Sequence, residues 1–367
     1  MSSAHASTNH SSALEKVCII GSGNWGSAVA KIVGGNVTHH EGFDQKVNMW
    51  VFEEQFEGQP LTQIINARHE NVKYLPGIRL PSNVHAEPDL ARAARDASLL
   101  IFVLPHQFIA GACRTLKEHR TIRPGAKAIS LVKGLAADET SSGSGPCLVS
   151  SLITKSLNGI DVSVLSGANI ANEIAEEKFS ETTIGYRNRR NGELFYQLFN
   201  TPYFQVNIVN DPCGVELCGA LKNIVAIGAG MVDGLGLGEN TKAAIIRIGL
   251  MEMMKFAKQF DSTVRDDTFF ESCGIADVIT TCAGGRNRRV GEAFVRTGKS
   301  FEELEREMLN GQKLQGTSTC QDVCDYLSQR NRGPEFPLFM TIHDICFRGL
   351  APENITKFNR RQTNSKI

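Results

Sequence analysis

A doubly wound α/β domain followed by a mainly α-helical one is the architecture that this chain of 367 residues predicts. Three observations predict it. From residue 16 to residue 167, short apolar runs alternate with polar, helix-like segments, the rhythm of a mostly parallel sheet with helices on both faces. The first of these runs leads directly into a glycine turn and a helix-like stretch. Beyond about residue 206 strand candidates nearly vanish, and long Ala/Ile/Leu/Met-rich segments replace them. The chain length suits about two domains. The boundary is expected near 201–211, with a sheet domain over 16–206, a helical domain over 207–357, and flexible tails at 1–15 and 358–367.

In chain order, the strand candidates are Lys16–Ile20, Val47–Phe52, Leu99–Leu104, Ala128–Val132 and Val162–Ser166. Ligands of open α/β sheets sit outside the carboxyl ends of the strands. The residues found there are therefore candidate binding residues: the glycine turn, Phe52-Glu53-Glu54, Pro105-His-Gln-Phe108, Lys133-Gly134 and Gly167-Ala168-Asn169. Helices are expected over 215–227, 241–260, 301–309 and 320–328, and Ser141–Gly145 has loop composition.

The turn reads Gly21-Ser22-Gly23-Asn24-Trp25-Gly26. Gly21 permits a tight turn, Gly23 lets the backbone approach a phosphate, and Gly26 lets helix and strand pack closely. The helix that follows offers free N–H groups and a positive dipole end. Strand before and helix after make this a Rossmann-like dinucleotide site, where the motif alone would also fit a structural βα turn.

Composition removes several classes. With 39 basic and 39 acidic residues the chain has no charge excess to drive binding to nucleic acid or an anionic membrane. No apolar run is expected to reach the roughly 20 residues of a membrane span. Met1–Ser12 is Ser/His-rich without an apolar centre, unlike a secretory signal. Ten scattered cysteines without a C-x-x-C pair point to reduced thiols inside a cell rather than disulfides or zinc, and no metal site is expected. The terminal Ser365-Lys-Ile367 approaches the S-K-L peroxisomal address and departs from it at the last position.

Downstream motifs bear on chemistry. Carboxylates at Glu53 and Glu54 would hold ribose hydroxyls and repel a 2′-phosphate, favouring NAD(H) over NADP(H), while Phe52 suits either adenine stacking or the core. Lys222, in Leu217-Cys-Gly-Ala-Leu-Lys-Asn223, lies among apolar residues. It either snorkels to the surface or is held for chemistry. Lys133 and Lys242 sit in similar settings, and clustered lysines would depress one another's pKa. Asp277, between Ala276 and Val278, is either the cationic partner's counter-ion or a helix cap. Gly284-Gly-Arg286-Asn287-Arg-Arg289 combines a glycine turn with the guanidinium fork that matches phosphate. Asn310–Gly316, which contains Lys313 and Gln315, is a polar loop that could close over a ligand or simply connect helices.

Together these segments resemble the NAD-dependent glycerol-3-phosphate dehydrogenases of the eukaryotic cytosolic type. The resemblance rests on GSGNWGSAVAKIVG, NVKYLPG, IFVLPHQF, GANIANEIAEEKFSETTIG, ELCGALKNIVAIGAG, TKAAIIRIGLMEMMKFA, ESCGIADVITTCAGGRNRRV and LNGQKLQG, which span almost all of residues 16–350. It implies catalytic roles for Lys222, Asp277 and Lys133. It implies substrate contacts at Lys133, Asn223, Thr281, Arg286 and Asn287. It implies NAD contacts at Gly21, Ser22, Gly23, Asn24, Trp25, Gly26, Phe52, Phe108, Lys133, Ala168, Arg286, Lys313 and Gln315. The implied reaction is reversible reduction of dihydroxyacetone phosphate by NADH to sn-glycerol 3-phosphate, by a cytoplasmic homodimer that links glycolysis, glycerolipid synthesis and redox balance. The residues alone also admit a 3-hydroxy acid dehydrogenase of the same plan, or a non-catalytic NADH sensor.

Overall fold

The structure, a computed structural model, describes residues 13–137, 146–309 and 313–357. The expected loop Ser141–Gly145, most of both tails with Ser365-Lys-Ile367, and the start of the polar loop at 310–312 lie outside the described residues. One sheet of eight strands organises the first half. Its strands are β1 (Glu15–Ile20), β2 (Phe43–Trp50), β3 (Val84–Glu87), β4 (Leu99–Phe102), β5 (Lys127–Ser130), β6 (Asp161–Ser166), β7 (Ser180–Gly185) and β8 (Phe204–Val209). Their spatial order is β8-β7-β6-β5-β4-β1-β2-β3. The first six are parallel, in the doubly wound order that leaves a crevice where β1 meets β4. β7 then turns antiparallel to β6, and β8 runs parallel to β7.

The central strands are unbroken apolar runs because both faces are covered. Val17 and Ile19 of β1 enter one core, with α1 (Asn24–Asn36) and later helix Arg189–Phe199. Cys18 and Ile20 enter the other, with Ile109 and Val149 of helices Ile109–Glu118 and Val149–Ser156. In chain order these helices are α1, then α2 (Leu61–Arg68), α3 (Ile109–Glu118), α4 (Val149–Ser156) and α5 (Arg189–Phe199).

All five expected strands are present, though β2 stops at Trp50, two residues before Phe52. β3, β7 and β8 were not anticipated. Their sequences, VHAE, SETTIG and FQVNIV, mix polar and apolar residues. VHAE and FQVNIV carry the period-2 alternation of a half-buried strand, a signal open to sequence reading, whereas SETTIG lacks it. The sheet runs to Val209.

The second half is built around α6 (Pro212–Gly234). Asp211 caps it by accepting from Gly214 N–H at 2.8 Å, and Pro212 occupies the first turn, where its missing N–H costs nothing. Around it pack α7 (Glu239–Phe260), α8 (Asp277–Gly284), α9 (Arg286–Thr297), α10 (Phe301–Leu309), α11 (Gln315–Gln329) and α12 (Pro337–Phe347). The expectation that no apolar run reaches membrane-spanning length is corrected here. Among the described residues α6 does so, with 23 residues and a mean hydropathy of 1.5 over a window wholly buried within the protein. It is the core helix of the second half, and its apolar faces meet other helices.

Glycines let α6 and α9 touch. A Cβ at Gly230 would lie 2.1 Å from the Arg288 carbonyl oxygen, and one at Gly291 would lie 2.6 Å from that of Ile227. Backbone cannot yield as a side chain does. Gly230→Ala is therefore expected to destabilise the protein by roughly 1–3 kcal/mol, the usual cost of overpacking. Thermal unfolding checks this, and a parental midpoint would show that the two helices can part.

Candidate active site

The carboxyl ends of β5 and β6 face the junction of α6 and α8. Lys133, just after β5, sends its Nζ to the Gly167 carbonyl at 2.8 Å and to Asp277 Oδ2 at 2.8 Å. Lys222, at the middle of α6, donates to Asp277 Oδ1 and to Thr281 Oγ1, the latter at 2.7 Å. Asp277 and Thr281 lie one turn apart on α8, so both face Lys222. Asp277 is only 2% exposed and Lys222 only 5%. Snorkelling is thus excluded for Lys222, and Asp277 is a counter-ion rather than a cap. Gly219 makes room for this crossing: a Cβ there would lie 2.9 Å from Ser166 Oγ and 3.5 Å from the Lys133 stem.

Two ammonium groups share one carboxylate, which leaves a buried excess of positive charge. Burial is the largest influence on Lys222 and pushes its ammonium down to about 7; Asp277 draws it up and Lys133 pushes it down further. A lysine so tuned exchanges a proton near neutrality. Lys242, expected to join this group, does not. It pairs at 2.8 Å with Asp233, in the last turn of α6.

Beside the cluster lies an amide relay. Asn287 Nδ2 donates to Asn223 Oδ1 at 2.9 Å, and Asn287 Oδ1 accepts from Gly316 N–H at 3.0 Å. Asn287 is the second residue of α9, and Arg286, exposed, is the first. The first turn of α9 carries no acidic side chain, so its N–H groups and positive end remain suited to an anion. Lysine cluster and helix end meet through Asn223, the residue after Lys222.

The glycine turn follows β1 as expected, and its three glycines have different reasons. Gly21 has φ +120° and would place a Cβ 2.8 Å from the Val103 carbonyl oxygen. At Gly26 a Cβ would lie 2.4 Å from the Gly21 carbonyl oxygen. Gly23 has an ordinary φ of −65°, and a Cβ there would meet nothing within 4 Å. Among the described residues nothing requires a glycine at 23. The open space before the α1 N-terminus fits a pyrophosphate approaching the backbone, so the residues present suit a dinucleotide.

Phe52 is 70% exposed and Phe108 56% exposed, after β2 and β4. The core alternative for Phe52 is excluded, and both rings are placed to cover a ligand at the strand ends. Glu53 and Glu54 are engaged inside the protein. Glu53 accepts from Thr62 N–H at 3.2 Å and Thr62 Oγ1 at 2.5 Å, at the start of α2. Glu54 pairs with Lys73 and accepts from Tyr74 Oη at 2.5 Å. Both carboxylates thus have partners within the fold.

The other expected cofactor residues divide by what their side chains do. Asn24 donates to the Tyr74 carbonyl at 2.8 Å and to Asn172 Oδ1 at 2.7 Å, and the Trp25 ring packs edge-on against Phe204. Ser22 is buried, and its carbonyl accepts from Asn71 at 2.8 Å. The contribution left to this turn is backbone N–H. Ala168 N–H donates to Ser272 Oγ at 3.4 Å. Lys313 pairs with Glu305 at 2.8 Å, and Gln315 reaches His106 at 3.2 Å, joining the helical half to the turn after β4. Sequence reasoning did not single out Ser272, whose Oγ meets Ala168 N–H. His106, Gly167 and Gly316 stood in segments singled out as candidate binding loops, but their partners could not be read from the sequence.

Two family profiles match the chain: "NAD-dependent glycerol-3-phosphate dehydrogenase N-terminus" over residues 16–192 and "NAD-dependent glycerol-3-phosphate dehydrogenase C-terminus" over 211–357. The human cytoplasmic NAD(+) glycerol-3-phosphate dehydrogenase is 56% identical, covering 92% of this chain and 95% of its own. The glycerol-3-phosphate dehydrogenase of Cuphea lanceolata is 54% identical, covering 95% and 93%. Among solved structures, that of Plasmodium falciparum glycerol-3-phosphate dehydrogenase superposes with a TM-score of 0.90 at 43% identity, covering 96% of each chain. The yeast Saccharomyces cerevisiae enzyme gives 0.87 at 44% identity, covering 94% of this chain and 99% of that one. A Dunaliella salina structure gives 0.87 at 48% identity, and this chain covers 94% of itself and 60% of that longer chain.

The Gly23 geometry yields a test. Gly23→Ala is expected to leave the unfolding midpoint unchanged and to weaken NADH binding on the order of tenfold, about 1.4 kcal/mol. Titration of NADH by fluorescence reads it, and an unaltered affinity would remove the pyrophosphate from that position.

Proposed function

The chain belongs to the NAD-dependent glycerol-3-phosphate dehydrogenases, and from that premise we propose how its residues divide the work. The reaction is reversible reduction of dihydroxyacetone phosphate to sn-glycerol 3-phosphate. The observation that carries the residue assignment is the buried carboxylate of Asp277 between two lysines.

NADH, when bound, supplies the hydride. Its holders would be the Gly21–Gly26 backbone and the α1 N-terminus, with Phe52, Phe108, Lys133, Ala168, Arg286, Lys313 and Gln315. Lys222 gives its proton to the carbonyl oxygen as that oxygen gains negative charge, and takes it back in the oxidative direction. Asp277 and Thr281 orient the ammonium, and Asp277 keeps both lysines in one place. Lys133, partly exposed, adds the positive potential that the forming alkoxide needs. Arg286, Asn287 and the α9 N-terminus grip the phosphate, and Asn223 ties that grip to Lys222. Binding energy from this remote handle helps align the carbonyl.

A 3-hydroxy acid would need a carboxylate clamp instead of this phosphate grip. A non-catalytic NADH sensor would not need a tuned, buried lysine. Neither reading is favoured. The exposed apolar residues Met251 on α7 and Ile279 on α8 give a homodimer a surface to bury. A cytoplasmic location rests on the names of the mammalian relatives. Peroxisomal import through Ser365-Lys-Ile367 rests on the sequence alone, and imaging a fusion with that terminus left free tests it.

The pH dependence has a worked sign. Reduction uses protonated Lys222, so its turnover should fall as pH rises through about 7, the value to which burial lowers this group. Oxidation uses the neutral amine and should rise through the same range. Lys222→Ala should keep NADH affinity, lose roughly 10²–10⁴ in rate and flatten both limbs; near-normal turnover would sink the assignment. Arg286→Ala should raise KM for dihydroxyacetone phosphate while sparing unphosphorylated dihydroxyacetone. An equal loss on both would argue against a phosphate grip.

A further inference from the structure

The two lysines come from different parts of the fold, and something must set their spacing. Lys222 rides on α6. Lys133 stands on the loop after β5 and leads into a short strand, Leu135–Ala137, which pairs antiparallel with Pro146–Leu148. The second strand runs straight into α4 at Val149. Leu135 and Leu148 face each other across this hairpin and pack in the same core as Leu217 and Leu221 of α6. Apolar contacts of this kind are non-directional and tolerate sliding along a helix.

One polar contact does not. Glu216 of α6, fully buried, accepts from Ser150 N–H at 3.1 Å with one oxygen and from Ser150 Oγ with the other. Hydrogen bonds are directional, so both oxygens of one side chain engaging both donors of one residue fix a register. Glu216 lies six residues before Lys222, about 9 Å along a continuous helix. We propose that Glu216 is a positioning residue: by clamping Ser150 it holds the Lys133-bearing hairpin at a set height on α6, and so sets the approach of Lys133 to Lys222 and Asp277.

Burial pushes the Glu216 carboxyl up to about 7, opposed by its hydrogen bonds to Ser150 and Val149 and by the charge of Arg187. Either protonation state keeps an oxygen to accept the Ser150 N–H, so the clamp persists through neutrality. An apolar side chain would fill the same volume without that desolvation cost. It would leave the register free.

The inference rests on the role given to Lys133, and one double-mutant cycle separates the two. Lys133→Ala alone should lower kcat. Glu216→Ala should lower kcat about tenfold, within the loss that small misplacement of catalytic groups produces. NADH affinity should stay within about twofold, and adding Glu216→Ala to Lys133→Ala should cost nothing more, since coupled sites are non-additive. Glu216→Gln keeps an acceptor and a donor for Ser150 and should restore most of the parental kcat. If Glu216→Ala does not fold, Ser150→Ala, which removes one of the two bonds, replaces it in the same cycle. Parental kcat in Lys133→Ala would overturn both the role of Lys133 and the clamp. A slow Lys133→Ala with an additive Glu216 loss, a parental Glu216→Ala, or no restoration by Gln would overturn the clamp alone.

Discussion

Two lysines, one buried and one partly exposed, share one buried carboxylate, and most of the architecture can be understood from that. A buried ion pair gains little net stability over apolar packing, and breaking it typically costs about 3–5 kcal/mol because a charge is left uncompensated. Here Asp277 cannot neutralise both Lys133 and Lys222. The residual positive charge favours an anion at the same spot, and the cheapest anion to admit is one that forms only during reaction. The cluster is thus more complementary to an alkoxide than to a neutral ketone, as differential binding requires.

The site also uses backbone dipoles at two places. The α1 N-terminus faces the crevice where β1 meets β4, and the α9 N-terminus faces Asn223 and the lysine cluster. Each has glycines that allow close approach, and neither first turn carries an acidic side chain. In the proposed division of work one helix end takes the pyrophosphate and the other the substrate phosphate. This geometry depends on α6, whose glycine contacts with α9 set where the second helix begins.

Much of this could be read from residue order, and the exceptions have physical causes. The β1–turn–α1 unit is local in sequence, and its glycine spacing carries its own meaning. Lys222 and Asp277 stood out because charge within apolar runs is costly. Lys242 offered the same signal and was misjudged, because only the packed structure shows that Asp233 holds it. Glu53 and Glu54 occupy the expected place for ribose carboxylates, and only the structure shows that Thr62, Lys73 and Tyr74 hold them there. β7, SETTIG, escaped notice because it lacks a period-2 pattern, whereas the alternation of β8, FQVNIV, was legible and was passed over.

The order of residues therefore determined the cofactor-binding unit, the two-part organisation and the kinds of side chain available for chemistry, since each depends on local pattern and composition. Tertiary structure decided which of those side chains meet. Lys133, Lys222, Asp277 and Asn287 come from β5's loop, α6, α8 and α9, and hydrogen bonding across such separations is set by packing rather than by spacing along the chain. The lowered proton affinity of Lys222 belongs to the same category, because burial produces it and burial exists only once the helices have closed around it.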